Sequence, residues 1–306
     1  MGRGRLRSAH GARVLIHLDE RRRDAAVSIA LGQLFEMCGL SVTFSTRRTT
    51  AHLLREERFD AALLPFVPPY VQYETLPELS QRTLLYLFPT EGAGFGEWPL
   101  MIKFAGDEDS ARWDRYIQAT RRMFLWGAHS RQILKATGRF RDDQLVVVGA
   151  PRMDLFLVAP SPVERALCDP GVMACASNFT MLNAYTRPNI FETVEGGRFG
   201  HGRFFASNRQ IEDWFWMEAA QVRVWLEYLD ACRHRGERLL LRIHPREDLE
   251  PYRALARRYT GTVQLEGQQD LPFEAWLERI GILVGFNSTT LFEAVALSKP
   301  AIDLSG

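Results

Sequence analysis

Short apolar runs and helix-spaced segments alternate along this chain, and a proline-rich stretch near the middle divides the series in two. That alternation constrains the fold more than any single motif. Strands joined through helices pair in parallel, and the crossover helices lie on the faces of the sheet. In the first half Arg13 to Leu18, Ser41 to Phe44, Asp60 to Leu64, Thr83 to Phe88, Arg121 to Trp126 and Gln144 to Val148 read as strands. Asp24 to Cys38, Ala51 to Glu57 and His129 to Thr137 have helical spacing. In the first of these Ala26, Ile29, Ala30, Gln33, Leu34 and Met37 share a side, and Gly39 stands where a C-terminal glycine ends a helix. Val158 to Asp169, with Pro160 and Pro162 inside it and Pro170 next, reads as a linker.

The second half repeats the scheme. Strands are expected at Gly171 to Ser177, Arg238 to Ile243, Thr262 to Glu266 and Gly281 to Phe286, with a last one beginning at Ala301 to Leu304. Helices are expected at Glu212 to Arg233, Pro251 to Tyr259, Pro272 to Arg279 and Thr290 to Leu297. The expectation is two doubly wound α/β domains in series, residues 12–158 and 159–306, facing a cleft. Ligands of such sheets bind beyond the carboxyl ends of the strands. Asn178 to Ile211 has little periodicity and is long for a plain connection, so it is either a functional lid or a variable surface excursion.

The composition supports a large core. Of 306 residues, 46% are hydrophobic and 25% charged, so folding requires no disulfide or metal staple. A formal net charge of +1 removes the whole-chain electrostatic case for a nucleic-acid partner. Arg3, Arg5, Arg7, Arg13 and Arg21 to Arg23 form one basic cluster, either a solvated tail or a peripheral contact with anionic lipid. Cys38, Cys168, Cys175 and Cys232 lack CxxC spacing and read as reduced, mostly buried thiols. No stretch of 18 uninterrupted apolar residues and no signal peptide is present. The expected setting is cytoplasmic, with a place at the inner face of the membrane left open.

Three strand ends carry candidate chemistry. Glu91 follows the fourth strand and precedes Gly92, Gly94 and Gly96, which let the backbone approach a ligand. It could act as base, nucleophile or electrostatic stabiliser, or be a solvated turn residue. His244, followed by Pro245 and Arg246, ends a buried strand, and an imidazole there can donate to a phosphate. Asn287, Ser288, Thr289 and Thr290 then separate a strand from a helix that continues through Glu293. Free amides and the helix dipole attract an anion at such a place, although an ordinary cap would look similar. His129, after Trp126-Gly127, is a weaker candidate of the same type. No cluster has zinc spacing and no Asp-x-Asp pair follows an expected strand, so neither metal nor other cofactor is expected. No GxSxG, Walker A or GxGxxG pattern stands in its proper context, which argues against a hydrolase elbow, a P-loop enzyme and a nicotinamide dehydrogenase.

Together these pieces resemble the GT-B glycosyltransferases of bacterial surface-carbohydrate biosynthesis, and are similar to CMP-Kdo and CMP-sialic acid transferases. The stretches that carry the resemblance are Glu91-Gly92, Trp126-Gly127, Val148 to Asp154, Ser177-Asn178-Phe179, His244-Pro245 and Asn287 to Ala294, with Lys299-Pro300 after them. The resemblance implies two Rossmann-like domains and metal-independent transfer from a nucleotide-activated, CMP-linked acidic sugar to a glycan or lipid-linked acceptor. It implies that His244, Ser288 and Thr289 hold the nucleotide and that Glu91 is the catalytic carboxylate. Relatives carry an acidic-acidic-Gly motif, whereas Thr90 occupies the first acidic position here. GT-B domains continue with helices that return to the first domain, so an end at Gly306 implies a C-terminally truncated piece of that fold. Related architectures serve sugar-nucleotide 2-epimerases and CDP-glycerol-type phosphotransferases, and a non-catalytic binding protein is the alternative of another kind.

Overall fold

A computed structural model describes residues 11–18, 21–46, 48–64, 76–88, 110–157, 171–180, 182–183, 208–244, 247–266, 273–286 and 288–305. The chain divides into two compact units, one ending at Leu155 and the other beginning at Phe156 apart from a short excursion. The expected linker at 158–169 lies outside the described residues.

In the first unit the strands are β1 (Arg13–Leu18), β2 (Ser41–Thr46), β3 (Ala61–Leu64), β4 (Leu84–Leu87), β5 (Thr120–Leu125) and β6 (Leu145–Val147). They form one six-stranded sheet in the order β2-β1-β3-β4-β5-β6, every neighbouring pair parallel. The helices are α1 (Arg21–Met37), α2 (Thr50–Glu56), α3 (Leu76–Arg82), α4 (Ser110–Ala119), α5 (Ala128–Ala136) and α6 (Pro151–Leu157). Periodicity had not revealed α3 and α4.

Strand alternation splits the apolar side chains between two faces. Leu15, Ala62, Leu64, Leu85 and Leu87 pack under Leu54 of α2, Leu79 of α3, Tyr116 and Ile117 of α4 and Leu134 of α5. Val14, Ile16 and Leu63 face the other way and meet Phe35 of α1. This is the arrangement right-handed crossovers give when the chain steps from β1 to β2 and then back past β1 to β3.

Ala26, Ile29, Ala30, Gln33, Leu34 and Met37 of α1 do share a side, and that side is largely exposed. Ile29, Leu34 and Met37 are 48%, 55% and 82% exposed, whereas Asp24, Val27 and Ser28 are buried. Helical spacing identifies residues that share a face but not which face the sheet covers, and this helix is mixed on both. Gly32 allows the close approach of β2: a β-carbon there would lie 2.5 Å from the Phe44 ring. Gly39 adopts φ +81° and ends the helix as expected.

The second unit holds β7 (Met173–Ala176), β8 (Leu239–Arg242), β9 (Val263–Glu266), β10 (Ile282–Gly285) and β11 (Ala301–Asp303). It also holds α7 (Asn208–Arg235), α8 (Leu249–Arg258), α9 (Phe273–Arg279) and α10 (Thr289–Ala296). Its sheet has the order β11-β10-β7-β8-β9, again all parallel. Trp225 and Leu229 of α7 and Tyr252 of α8 cover one face over Cys175, Leu239 and Leu241. On β8 the guanidinium of Arg242 lies 5.5 Å from the ring centres of both Phe273 and Trp276 of α9. Among the described cysteines, Cys175 and Cys232 are buried, but Cys38 is exposed. No described helix is long and apolar enough to cross a membrane.

One buried amide ties the end of α4 to the start of β6. Gln144, 1% exposed, donates through Nε2 to the Ile117 carbonyl at 2.9 Å and the Thr120 carbonyl at 2.7 Å. Its Oε1 accepts from the Arg141 amide at 3.0 Å. Gln144→Ala strips these partners without supplying water, and should cost about 1–3 kcal/mol. Urea denaturation followed by circular dichroism checks this; an unchanged midpoint would contradict it.

Candidate functional site

In the second unit the chain steps from β7 to β8 and β9 on one side, then crosses back to place β10 and β11 on the other. The connections leaving β7 and β10 therefore diverge, and a crevice opens beyond their carboxyl ends, where open parallel sheets bind ligands. Three segments meet this edge: Ser177–Phe179 after β7, Ile243-His244 after β8, and Ser288–Thr290 after β10. β7 lies between β8 and β10, so the outer two are separated by two strand spacings, roughly 10 Å.

The turns after β7 and β8 are bonded to each other. The Ser177 amide donates to the Arg242 carbonyl at 2.9 Å, which continues the ladder by one residue. Ser177 Oγ then accepts from the His244 amide at 2.9 Å. The Glu247 amide returns to the His244 carbonyl at 3.0 Å. Glu247 Oε1 accepts from the Phe179 amide at 2.8 Å, and Oε2 accepts from the Tyr252 hydroxyl. Further along, the Asp248 amide donates to the Asn183 carbonyl at 2.8 Å, and Asn183 Nδ2 donates to the Asp248 carbonyl at 2.9 Å. Asp248 also caps α8, accepting from the Glu250 amide at 3.1 Å. His244 itself is half-buried at the edge of this frame.

After β10, Ser288 is the N-cap of α10. Its Oγ accepts from the Thr290 amide at 3.3 Å and from the Thr290 hydroxyl at 2.9 Å. The hydroxyl run therefore forms a cap, the plainer of the two readings, and a cap of this type still leaves a helix N-terminus that favours anions. Ser288, Thr289 and Thr290 are all half-buried. Glu293, one turn on, is 0% exposed, inside the packed side of the helix. Lys299 Nζ donates to the carbonyls of Glu278 at 2.9 Å and Ile280 at 2.8 Å, so the Lys-Pro pair anchors the start of β11 to the end of α9.

The strand order thus brings His244 to the same sheet edge as Ser288, Thr289 and Thr290. Pro245, Arg246 and Asn287 lie outside the described residues, as does Glu91. His129 belongs to the first unit, where it is exposed in the first turn of α5 behind the N-cap Gly127. Among the described residues no three His, Cys, Asp or Glu side chains gather as metal ligands would. Sequence reasoning gave no role to Ser177, Glu247 or Tyr252. An acid shortly after a strand-end His was the available signal, but nothing in the sequence said that it would be buried.

Burial dominates the electrostatics here. Desolvation pushes the Glu247 carboxyl up from its ordinary 4.5 to about 7, against the lowering effect of bonds from Tyr252, Phe179 and Ser177. The Tyr252 phenol is raised well above its ordinary value by burial and by the carboxylate beside it. The Cys175 thiol, beneath the turn, is pushed up to about 12 by burial and then by Glu247.

The profile of the alpha-2,8-polysialyltransferase (POLYST) family matches residues 217–300, a span that includes His244 and the Ser288–Thr290 run. No curated protein matches the chain. A variant of the wall teichoic acid polymerase TagF superposes with TM-score 0.52 at 11% identity, covering 96% of this chain and 70% of that one. A TagF variant soaked with CDPG superposes with TM-score 0.50 at 9% identity, over 94% of this chain and 68% of that one. The E. coli heptosyltransferase WaaC aligns over 95% of this chain and 88% of its own at 12% identity, but its TM-score of 0.38 carries no weight. The chain has a mixed α/β fold with parallel sheets, the fold it shares with TagF.

The buried carboxyl makes stability depend on pH in a defined direction. Glu247 gives up its proton near 4.5 when unfolded but only near 7 when folded. Between those values the folded state holds more protons, so the group's stabilising contribution is full below 4.5, falls as pH rises to about 7, and then stays level. Glu247→Gln removes this titration. Urea midpoints of both proteins at about pH 5 and about pH 8 should show the wild type losing ground to the variant as pH rises. An equal difference at both values would contradict the burial-driven shift.

Proposed function

We propose that the chain is a GT-B glycosyltransferase of surface-polysaccharide assembly whose second unit binds a cytidine-nucleotide donor, a CMP-linked acidic sugar. The observation that carries this reading is the family match over residues 217–300. It falls on the segment whose folding collects His244 and the Ser288–Thr290 helix start at one sheet edge. His244 would donate to the donor phosphate. The N-terminus of α10 would stabilise the charge that the phosphate retains as the sugar–oxygen bond breaks, an electrostatic contribution made mainly in the transition state.

Glu91 is the proposed catalytic carboxylate. It would take the proton from the acceptor hydroxyl as that oxygen attacks the sugar carbon, with His129 as the first unit's alternative. Glu293, enclosed in its helix, would support the helix start rather than touch the donor. The acceptor is a glycan or a lipid-linked glycan. The arginine-rich start of the chain and the exposed Ile29, Leu34 and Met37 of α1 support a peripheral contact with an anionic membrane surface.

A second reading, a CDP-glycerol-type phosphotransferase, is favoured by one observation. TagF, the teichoic acid polymerase with the same fold, has been soaked with CDPG. Both readings place a cytidine nucleotide at His244, and they differ in whether a sugar carbon or a phosphorus is attacked.

CMP, CDP and UDP should therefore separate in a thermal-shift series, with a cytidine nucleotide raising the melting temperature by mass action. No shift with any of them at millimolar concentration would defeat the nucleotide reading. His244→Ala should weaken binding by about 1–3 kcal/mol, the scale of a lost charge-assisted hydrogen bond. Transfer should persist in EDTA; turnover lost on chelation and restored by magnesium or manganese would show that a metal is needed. Glu91→Gln should spare donor binding and abolish transfer, the pattern of an interaction made in the transition state. A Gln variant with near wild-type turnover would remove Glu91 from the mechanism.

A further inference from the structure

Glu247 does none of the tasks that usually explain an acidic side chain at the start of a helix. Asp248, not Glu247, caps α8. Glu247 is 5% exposed, and an apolar residue could fill such a place without removing a carboxyl from water. What the carboxyl provides is connection. One oxygen accepts from the Phe179 amide, beyond β7. The other accepts from Tyr252, in the body of α8. The backbone amide of the same residue holds the His244 carbonyl, and the His244 amide rests on Ser177 Oγ. These bonds close a ring: His244 to Ser177, along the chain to Phe179, across to Glu247, and back to His244. The ring spans the ends of two neighbouring strands, and His244 is the member at the crevice.

Aromatic packing backs it. Tyr252 meets the Trp225 ring edge-on at 6.1 Å. Trp225 leans on Phe179 at 5.8 Å, and Phe179 on Phe286 at 5.4 Å. Phe286 is the residue directly after β10, so the stack extends from the clamp towards the strand that leads to Ser288.

We propose that Glu247 is a positioning residue for His244, clamping the turn that carries His244 onto the turn that carries Ser177–Phe179, with Tyr252 anchoring the clamp to α8. Its functional consequence rests on the reading of this edge as a nucleotide site; the clamp itself does not. Without it, the imidazole would be presented from a loose turn, and part of the binding energy would be spent on ordering that turn.

Amide hydrogen exchange of the full chain, without ligand, tests the clamp. Glu247→Ala should speed exchange at Phe179 and His244 by about tenfold or more, while Cys175 and Leu241 within the strands keep their protection. Tyr252→Phe, which keeps the ring and removes one anchor, should give a smaller change at the same two amides, and serves if the alanine variant fails to fold. Unchanged exchange at Phe179 and His244 in these variants would overturn the proposal. Calorimetric titration with CMP then tests the role. Glu247→Ala should weaken binding by roughly tenfold, and adding Glu247→Ala to His244→Ala should weaken it no further, because the two act as one unit. Losses that simply add would overturn the positioning role. Wild-type protein that binds none of CMP, CDP and UDP would defeat the nucleotide reading, while the exchange data would still decide the clamp.

Discussion

A parallel strand bonded on both edges and covered on both faces can offer a polar group to a ligand only from beyond its ends, and the diverging connections of this sheet open that space at the carboxyl ends. That constraint governs the second unit. β7 is paired with β8 on one edge and with β10 on the other, and Ala174, Cys175 and the neighbouring Leu239, Leu241, Leu283 and Val284 are sealed by helices. Leu239 to Leu241 and Ile282 to Val284 are apolar throughout for this reason. The polar residues of the site stand one to three positions after their strands, at Ser177, His244 and Ser288, and they fall side by side only because the chain reverses its direction of travel between β9 and β10.

The polar groups beyond the strands are not left to solvent. Backbone groups at the turns find side-chain partners: Ser177 Oγ for His244, the Glu247 carboxyl for Phe179, Asp248 for α8, Ser288 for α10. The first unit solves the same problem at the end of β1. His17 Nδ1 and Thr50 Oγ1 lie 2.6 Å apart, and Ser45 Oγ is 2.7 Å from the same hydroxyl. His17, Ser45 and Thr50 are all buried. Burying a polar group is tolerable only when it is bonded, so such networks fix the geometry of a turn more tightly than apolar packing would.

Much of this fold was legible because local pattern and tertiary role agree. β1 matched its apolar run residue for residue, Gly39 ended α1, and the motif around Ser288 became a helix start. α3 and α4 were not legible. Leu76–Arg82 is only seven residues long, and the ten residues of Ser110–Ala119 set Trp113, Tyr116 and Ile117 among charged and polar neighbours; helices this short owe their stability to packing rather than to propensity. Which side of α1 is buried was equally illegible: the apolar spacing was real, but Asp24 and Ser28 are buried while Ile29 and Met37 are exposed.

At the site the division is sharper. By itself the sequence determined that there are two alternating α/β series, and that His244 and the Ser288–Thr290 run each follow a strand. Apolar periodicity and caps act over a few residues and are written locally. Only the tertiary structure decided that β8, β7 and β10 are neighbours, which brings those separate strand ends to one edge. It alone decided that Glu247 faces inward. A carboxyl next to a helix cap reads as a solvated residue in one dimension. Its burial, its bonds to Phe179 and Tyr252 and its raised proton affinity come from chain segments far away in sequence, because desolvation is a property of everything packed around a group and not of the group itself.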